Sequence, residues 1–314
     1  MSTDTPQLAL PPANPVAGGA ADPSTRDDVT VASSLRLYRV TDAMRVAGAA
    51  TRGVARSGLI RPASPRATVA LASDLLRWGT SPGIGFSLGA ARHPSEVAVI
   101  DVDDPDRPMT SFIEMDHRCT TLALSLLDRG IGEGSRVGIL GRNSRSFLEA
   151  LIAVSRTGAD LIYFNASSNA TAVETIVREQ HLNLVFRDQE FAGMIPSGVP
   201  TISLDSKSGV PLLASLPRKG ALPTISKRGS HIILTSGTTS GRSRGTGRSS
   251  VALDAAAAIL DAFPVKMRST ILMAAPMFHS WGWMHHRLAT LLDATVIVVR
   301  RPDARRLVQL IDQY

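Results

Sequence analysis

Residues 231–262 hold the densest set of groups suited to binding an anion. The apolar run His231-Ile232-Ile233-Leu234 leads into Thr235-Ser236-Gly237-Thr238-Thr239-Ser240-Gly241-Arg242-Ser243-Arg244-Gly245. Residues 251–262 follow with Leu253, Ala256, Ile259 and Leu260 at helical spacing. A strand, a Gly/Ser/Thr loop and a helix in that order can cradle a phosphate. Glycine lets the backbone approach an oxyanion and take φ > 0, and successive N–H groups form a nest. Hydroxyls add donors, and an Arg fork matches phosphate oxygens in pairs. A flexible linker has a similar composition, but the strand before this loop and the helix after it weigh against that reading. The spacing is not that of a Walker loop, because no Lys follows a Gly here. Nor is it G-x-G-x-x-G, since Ser250 stands where the third glycine would be.

The surrounding pattern has to position this loop. Residues 97–100, 137–140, 161–164, 184–186 and 295–299 read as short apolar strands. Between them, 113–129, 146–157 with Phe147, Leu151 and Val154 on one apolar stripe, and 172–179 read as helices, and 303–313 as the helix after the last strand. Strands alternating with helices of this length require crossover connections, hence an α/β fold with parallel-rich sheets flanked by helices. Residues 192–229 read as loop, with five prolines. Upstream, 1–33 is a Pro/Ala/Ser-rich stretch that reads as a disordered tail. Residues 34–89 read as a helical preface, with one helix on Leu37, Val40, Met44 and Ala47 and a second over 66–78 with Val69 and Leu76 among its apolar positions. Residues 90–314 form the main domain. A basic amphipathic helix can lie on an anionic membrane, so peripheral membrane contact is one use of the preface. Packing onto the main domain is the reading preferred, because the apolar stripe is weak and Ala-rich.

Composition narrows the classes. The 314 residues are 44% hydrophobic and 19% charged, enough to bury a core. One cysteine, Cys119, excludes an internal disulfide framework and a Cys-cluster metal site, and is compatible with a cytoplasmic location. No run approaches the ~20 apolar residues of a membrane span, and the N-terminus has no basic-then-apolar leader. The net charge is +7 with 34 Lys and Arg, of which thirty are Arg. With aromatic residues at 4% and no recognisable module, nucleic-acid binding ranks last among the functions considered. His285 and His286 lack the further ligands a metal site needs and read as structural.

Two motifs carry a family resemblance. Thr235–Thr239 matches, residue for residue, the start of the T-S-G-T-T-G-x-P-K-G phosphate loop of the adenylate-forming (AMP-binding) superfamily. Gly241, Arg244 and Gly245 follow its second half, with Arg for Lys and Ser240 inserted. Pro276-Met277-Phe278-His279-Ser280-Trp281-Gly282 resembles the P-x-F-H-x-x-G segment, and it follows residues 270–275, where the resemblance implies a strand. Upstream, 91–101, Thr110–Asp116, Gly134–Val137 and Gly141-Arg142-Asn143-Ser144 resemble the family's opening strands and loops. The wording is most similar to bacterial fatty-acyl-CoA ligases, and it covers residue 90 onward.

The resemblance implies a nucleotide phosphate site at Thr235, Ser236, Gly237, Thr238, Thr239, Gly241, Arg244 and Gly245, and an acyl pocket at Phe278, His279, Trp281 and Gly282. It implies ATP and Mg²⁺ as cofactors, a fatty acid and coenzyme A as partners, and a complete protein that activates the acid as an acyl-adenylate. It also implies further segments, namely an adenine and magnesium motif, a ribose-binding Asp and an adenylation Lys, none of which occurs in these 314 residues. The chain therefore reads as the front half of an acyl-CoA ligase, with a catalytically inactive remnant as the alternative. No catalytic or metal-binding residue is assigned. Residues 295–299 are expected to form an unpaired apolar edge that favours self-association or chaperone binding.

Overall fold

The computed structural model describes residues 48, 51–58, 64–79, 81–216, 220–234, 263 and 265–314. The tail, the helix expected over Leu37–Ala47, the loop 235–245 and the helix expected over 251–262 lie outside the described residues.

Two sheets form the frame. The first contains β1 (Val97–Asp101), β2 (Met109–Ser111), β8 (Thr270–Met273) and β9 (Thr295–Val298) in the order β2-β1-β9-β8. Its only antiparallel pair among the described residues is β1 with β2; β9 runs parallel to both β1 and β8. The second is wholly parallel: β3 (Arg136–Leu140), β4 (Asp160–Tyr163), β5 (Leu184–Arg187), β6 (Thr201–Ser203) and β7 (His231–Ile233), in the order β6-β5-β3-β4-β7. The α/β reading with parallel-rich sheets is borne out.

Residues 51–57 are helical, and the helices that follow are α1 (Pro65–Trp78), α2 (Ser87–Arg92), α3 (Phe112–Leu127), α4 (Arg145–Thr157), α5 (Ala170–Glu179), the single turn α6 (Val210–Leu213), α7 (Ser280–Leu291) and α8 (Ala304–Gln313). Local chemistry sets their ends. Ser111 and Glu114 make a reciprocal capping box at the start of α3. Ser144 accepts from the Phe147 amide to start α4, and Gly158, at φ 81°, ends it in the left-handed region. Strand β6 and helix α6 fall inside the stretch read as loop; three strand residues and one helical turn are too short to show a period.

Helix α4 is buried along its whole length, its three charged side chains included. It touches β1 of one sheet and β3 and β4 of the other, so no face is left for water. A stripe of Phe147, Leu151 and Val154 describes only part of that environment. Its charged groups are satisfied internally. Arg156 donates to the carbonyls of Gly83 and Asp116, to Thr120 Oγ1 and to Asp116 Oδ1, and its guanidinium lies 4.7 Å from the Trp78 ring.

That contact decides how α1 docks. Its buried residues are Ala67, Asp74 and Trp78, and Asp74 accepts from Ser87 Oγ at 2.6 Å. Val69 and Leu76, read among its apolar positions, are 70% and 82% exposed. The Trp78–Arg156 stack and the Asp74–Ser87 bond rotate the helix away from its aliphatic side. Trp78 and Phe86 share one apolar core with α3 and α4.

The expected free edge at 295–299 is also corrected. Strand β9 is paired on both sides, and residues 296–299 are buried. The sheet closes over it because β1, nearly 200 residues earlier, inserts beside it. Exposed apolar surface near this end lies instead on α8, at Val308 and Ile311.

Candidate functional site

Strand β8 ends at Met273, and the segment 276–282 turns from it into α7. Pro276 has no N–H and holds the residue before it extended. The His279 amide donates to the Pro276 carbonyl at 3.0 Å, closing the turn, and His279 occupies the N-cap of α7 without a side-chain capping bond. Of the four residues expected in a pocket, Phe278 and Gly282 are buried, whereas His279 and Trp281 are exposed. The Phe278 and His279 rings lie 4.6 Å apart, and Trp281 stands edge-on to His285 at 4.5 Å. Gly282 is required by packing: a Cβ there would sit 2.1 Å from the Pro276 carbonyl oxygen.

The loop after β3 reaches this segment from the other sheet. Asn143 is buried, at 4% exposure. Its Nδ2 donates to the carbonyls of Met273 (2.9 Å) and Ala275 (3.0 Å), and its Oδ1 accepts from the Met277 amide (2.8 Å). Its neighbours in the loop bond elsewhere, Arg142 N to Asp188 and Arg145 N to Asp101, each at 2.8 Å. Sequence reasoning placed Asn143 in a family-like loop without giving it a role; a contact 130 residues away leaves no periodic signal.

Strand β7 leads directly to the loop 235–245. Its first residue, His231, bonds Tyr163 Oη at 2.7 Å through Nδ1 and Ser155 Oγ at 2.9 Å through Nε2. Because the Ser155 hydroxyl lies 2.7 Å from the Leu151 carbonyl, it donates there. The proton of His231 is therefore on Nε2, and Tyr163 donates to Nδ1. Desolvation lowers the His231 pKa to about 3, consistent with this neutral tautomer. The Trp283 ring packs 6.1 Å from His231, bringing α7 against β7. His286 is fully buried and held neutral, its pKa lowered to about 3 mainly by desolvation.

An ionic hub that the sequence did not signal joins the sheets at the ends of β5 and β9. Asp188 Oδ2 pairs with Arg300 at 2.9 Å, and Arg300 also reaches Asp205 at 3.3 Å. Beside it, a cleft of about 390 Å³ carries both signs of charge, including Asp104, Arg118, Arg145 and Lys207. Burial pushes the Asp188 carboxyl up to about 6 although Arg300 opposes the shift. Between that value and the ordinary 3.8 the folded state holds a proton that the unfolded chain lacks. This group's contribution to stability therefore grows as the pH falls from about 6 towards 4 and is lost as it rises. Urea unfolding across that window should show wild type gaining on Asp188→Asn as the pH drops; a constant gap between the two would contradict the assignment.

Among the described residues no three His, Cys, Asp or Glu side chains gather to hold a metal ion, so none is assigned to magnesium. No helix among them is long and apolar enough to cross a membrane.

Two sheets joined at the carboxyl ends of their parallel strands, with the P-M-F-H-S-W-G segment at the junction, define the adenylate-forming fold. The chain belongs to the AMP-binding enzyme family, whose profile matches residues 86–314. Among its relatives is probable acyl-activating enzyme 10 of Arabidopsis thaliana, 28% identical over 231 residues, covering 65% of this chain and 42% of that protein. Acetate–CoA ligase CCL3 of Humulus lupulus is 29% identical over 119 residues, covering 38% of this chain and 20% of that one. The chain spans less than half the length of either relative. In fold it is similar to the N-terminal domain of FACL13 from Mycobacterium tuberculosis, with a TM-score of 0.64 at 21% identity over 74% of this chain and 60% of that one. It is likewise similar to o-succinylbenzoate coenzyme A synthetase from Bacillus subtilis, solved with ATP and magnesium, with a TM-score of 0.61 at 17% identity over 73% and 60% of the two chains.

Proposed function

We propose that these 314 residues are the nucleotide- and acid-binding part of an ATP-dependent acyl-activating ligase. In the reaction a carboxylate attacks the α-phosphate of ATP, forming an acyl-adenylate and releasing pyrophosphate. The thiol of coenzyme A then takes the acyl group and releases AMP. Thr235, Ser236, Gly237, Thr238, Thr239, Gly241, Arg244 and Gly245 would donate to the phosphate oxygens, a role of positioning and charge stabilisation. Phe278, His279, Trp281 and Gly282 would border the acid. The wording of residues 276–282 favours a fatty acid.

One observation carries this reading. Strand β7, which leads into the phosphate-type loop, is parallel to β3, and the loop after β3 bonds the 273–277 backbone. The carboxyl end of β7 and the 273–277 backbone therefore lie on the same side of the molecule, although they belong to different sheets. Crevices outside the carboxyl ends of parallel strands are where such folds bind ligands.

Hydrogen exchange tests the nucleotide site. ATP should protect the amides of 235–245, and Gly237→Val should abolish the protection; no change at millimolar ATP would overturn the proposed phosphate role. The inserted Ser240 and Arg244 in place of Lys favour binding without turnover, because Arg keeps the charge of Lys but not its shape. Acid-dependent pyrophosphate release should stay at the no-protein level for this chain alone. Release above that level would show catalysis without the other segments the family pattern implies.

A further inference from the structure

The two candidate motifs arise from separate sheets, so something must set their relative position. We propose that Asn143 is the positioning residue that registers the Pro276–Gly282 segment against the sheet bearing the 235–245 loop; this rests on the ligase reading for its consequence, but not for its geometry. Pro276 interrupts the backbone between Met273 and Met277 and brings no N–H of its own. Two carbonyls and one amide of that backbone are met by a single buried side chain from the opposite sheet.

Only a carboxamide fits this set of partners. Asn offers two N–H donors and a carbonyl acceptor on one planar group. The partners also fix its orientation, since two carbonyls need the NH₂ and one amide needs the oxygen. Asp would keep the bond from Met277 N–H but turn a carboxylate towards two carbonyl oxygens. Ala would leave all three backbone groups without their partner.

The loop carrying Asn143 is itself held firmly. Arg142 N is tied to Asp188 and Arg145 N to Asp101, while Ser144 caps α4. Gly141 packs so closely that a Cβ would lie 2.4 Å from Leu204 Cδ1. Asn143 therefore projects from a base fixed to the ends of β1 and β5 and holds the end of β8. The His231–Trp283 contact supports α7 farther along but leaves the turn itself untouched.

A residue that only supports the fold and one that sets register differ in which ligand they affect. The probes are ATP, which needs the 235–245 loop, and an acyl-sulfamoyl adenosine, which spans loop and acid pocket. Asn143→Ala and Asn143→Asp should weaken the spanning analogue about tenfold to a hundredfold, the scale expected when buried backbone groups lose their hydrogen-bond partner. ATP affinity should stay within about twofold of wild type, since a twofold change is well below 1 kcal/mol. Equal losses for both ligands, or none for either, would overturn the inference.

Hydrogen exchange at 277–282 in the free protein gives a readout independent of ligand. Faster exchange there in either variant, with β3 and β4 unchanged, is expected; unchanged exchange at 277–282 would refute the positioning role whatever the ligands do. Should wild type bind neither probe while the exchange result holds, the ligase reading fails and the positioning role stands. If Asn143→Ala does not fold, Asn143→Asp, of nearly equal volume, carries the same comparison.

Discussion

Glu149→Ala is expected to lower the unfolding free energy by about 3–5 kcal/mol, the cost of stripping a buried charge of its partner. Glu149 lies fully buried on α4 between two arginines. Arg118 grips it with Nε at 2.6 Å and Nη2 at 3.2 Å, and Arg145 Nη1 reaches it at 2.8 Å. Arg118 is 6% exposed and Arg145 3%, so both guanidiniums stay largely desolvated when the carboxylate is gone. Arg145 would keep Asp104, but Arg118 would keep only the Pro211 carbonyl at 3.4 Å. For a domain of this size the melting temperature should fall on the order of 10 °C. The double change Glu149→Leu/Arg118→Met should recover much of the loss, because apolar replacement of a buried pair is often neutral. A melting point for Glu149→Ala within about 2 °C of wild type would mean that the triad is solvated in a way its burial does not suggest.

Gly282→Ala should be the most damaging single-methyl addition in the 276–282 turn. The new Cβ would meet the Pro276 oxygen at 2.1 Å, the Pro276 carbonyl carbon at 2.6 Å and the Ala275 oxygen at 2.9 Å. All three are backbone atoms, so no rotamer change can relieve the clash. Either α7 lifts from the turn or the turn moves away from Asn143, at a cost of about 1–3 kcal/mol for overpacking. His279, at the N-cap, and Trp281, in the first turn of that helix, would move with it. Thermal melting and hydrogen exchange over 276–284 measure both effects. Gly193→Ala is the control, because nothing lies within 4 Å of a Cβ there. Equal behaviour of the two variants would show that the turn has slack.

Much of this molecule is legible in one dimension. Apolar runs of three to five residues between helical stretches established β1, β3, β4, β5, β7 and β9 and the order in which they occur, and the family resemblance added β8. Chain length between those runs required crossovers, and hence parallel pairing, because a short turn cannot return a chain to run in the same direction. The wording of residues 276–282 and 235–239 pointed to the family. These signals are local: each is written within a few neighbouring residues.

Tertiary structure decided what depends on partners distant in sequence. The sequence could order the strands in time but not in space, so the insertion of β1 beside β9 and the division into two sheets had no local signature. Helix faces were decided the same way: on α1 an indole under Arg156 and a carboxylate bonded to Ser87 outweighed the aliphatic side chains of Val69 and Leu76. On α4 the presence of a sheet on either side turned what read as one apolar stripe into burial all round, with Glu149 and Arg156 satisfied by groups on α1–α3 and their connections as well as on α4 itself. Asn143 belongs to the same class. Its residue type stood in plain view, but its partners lie 130 or more residues away, and a hydrogen-bonding side chain takes its role from whatever backbone the fold carries to it.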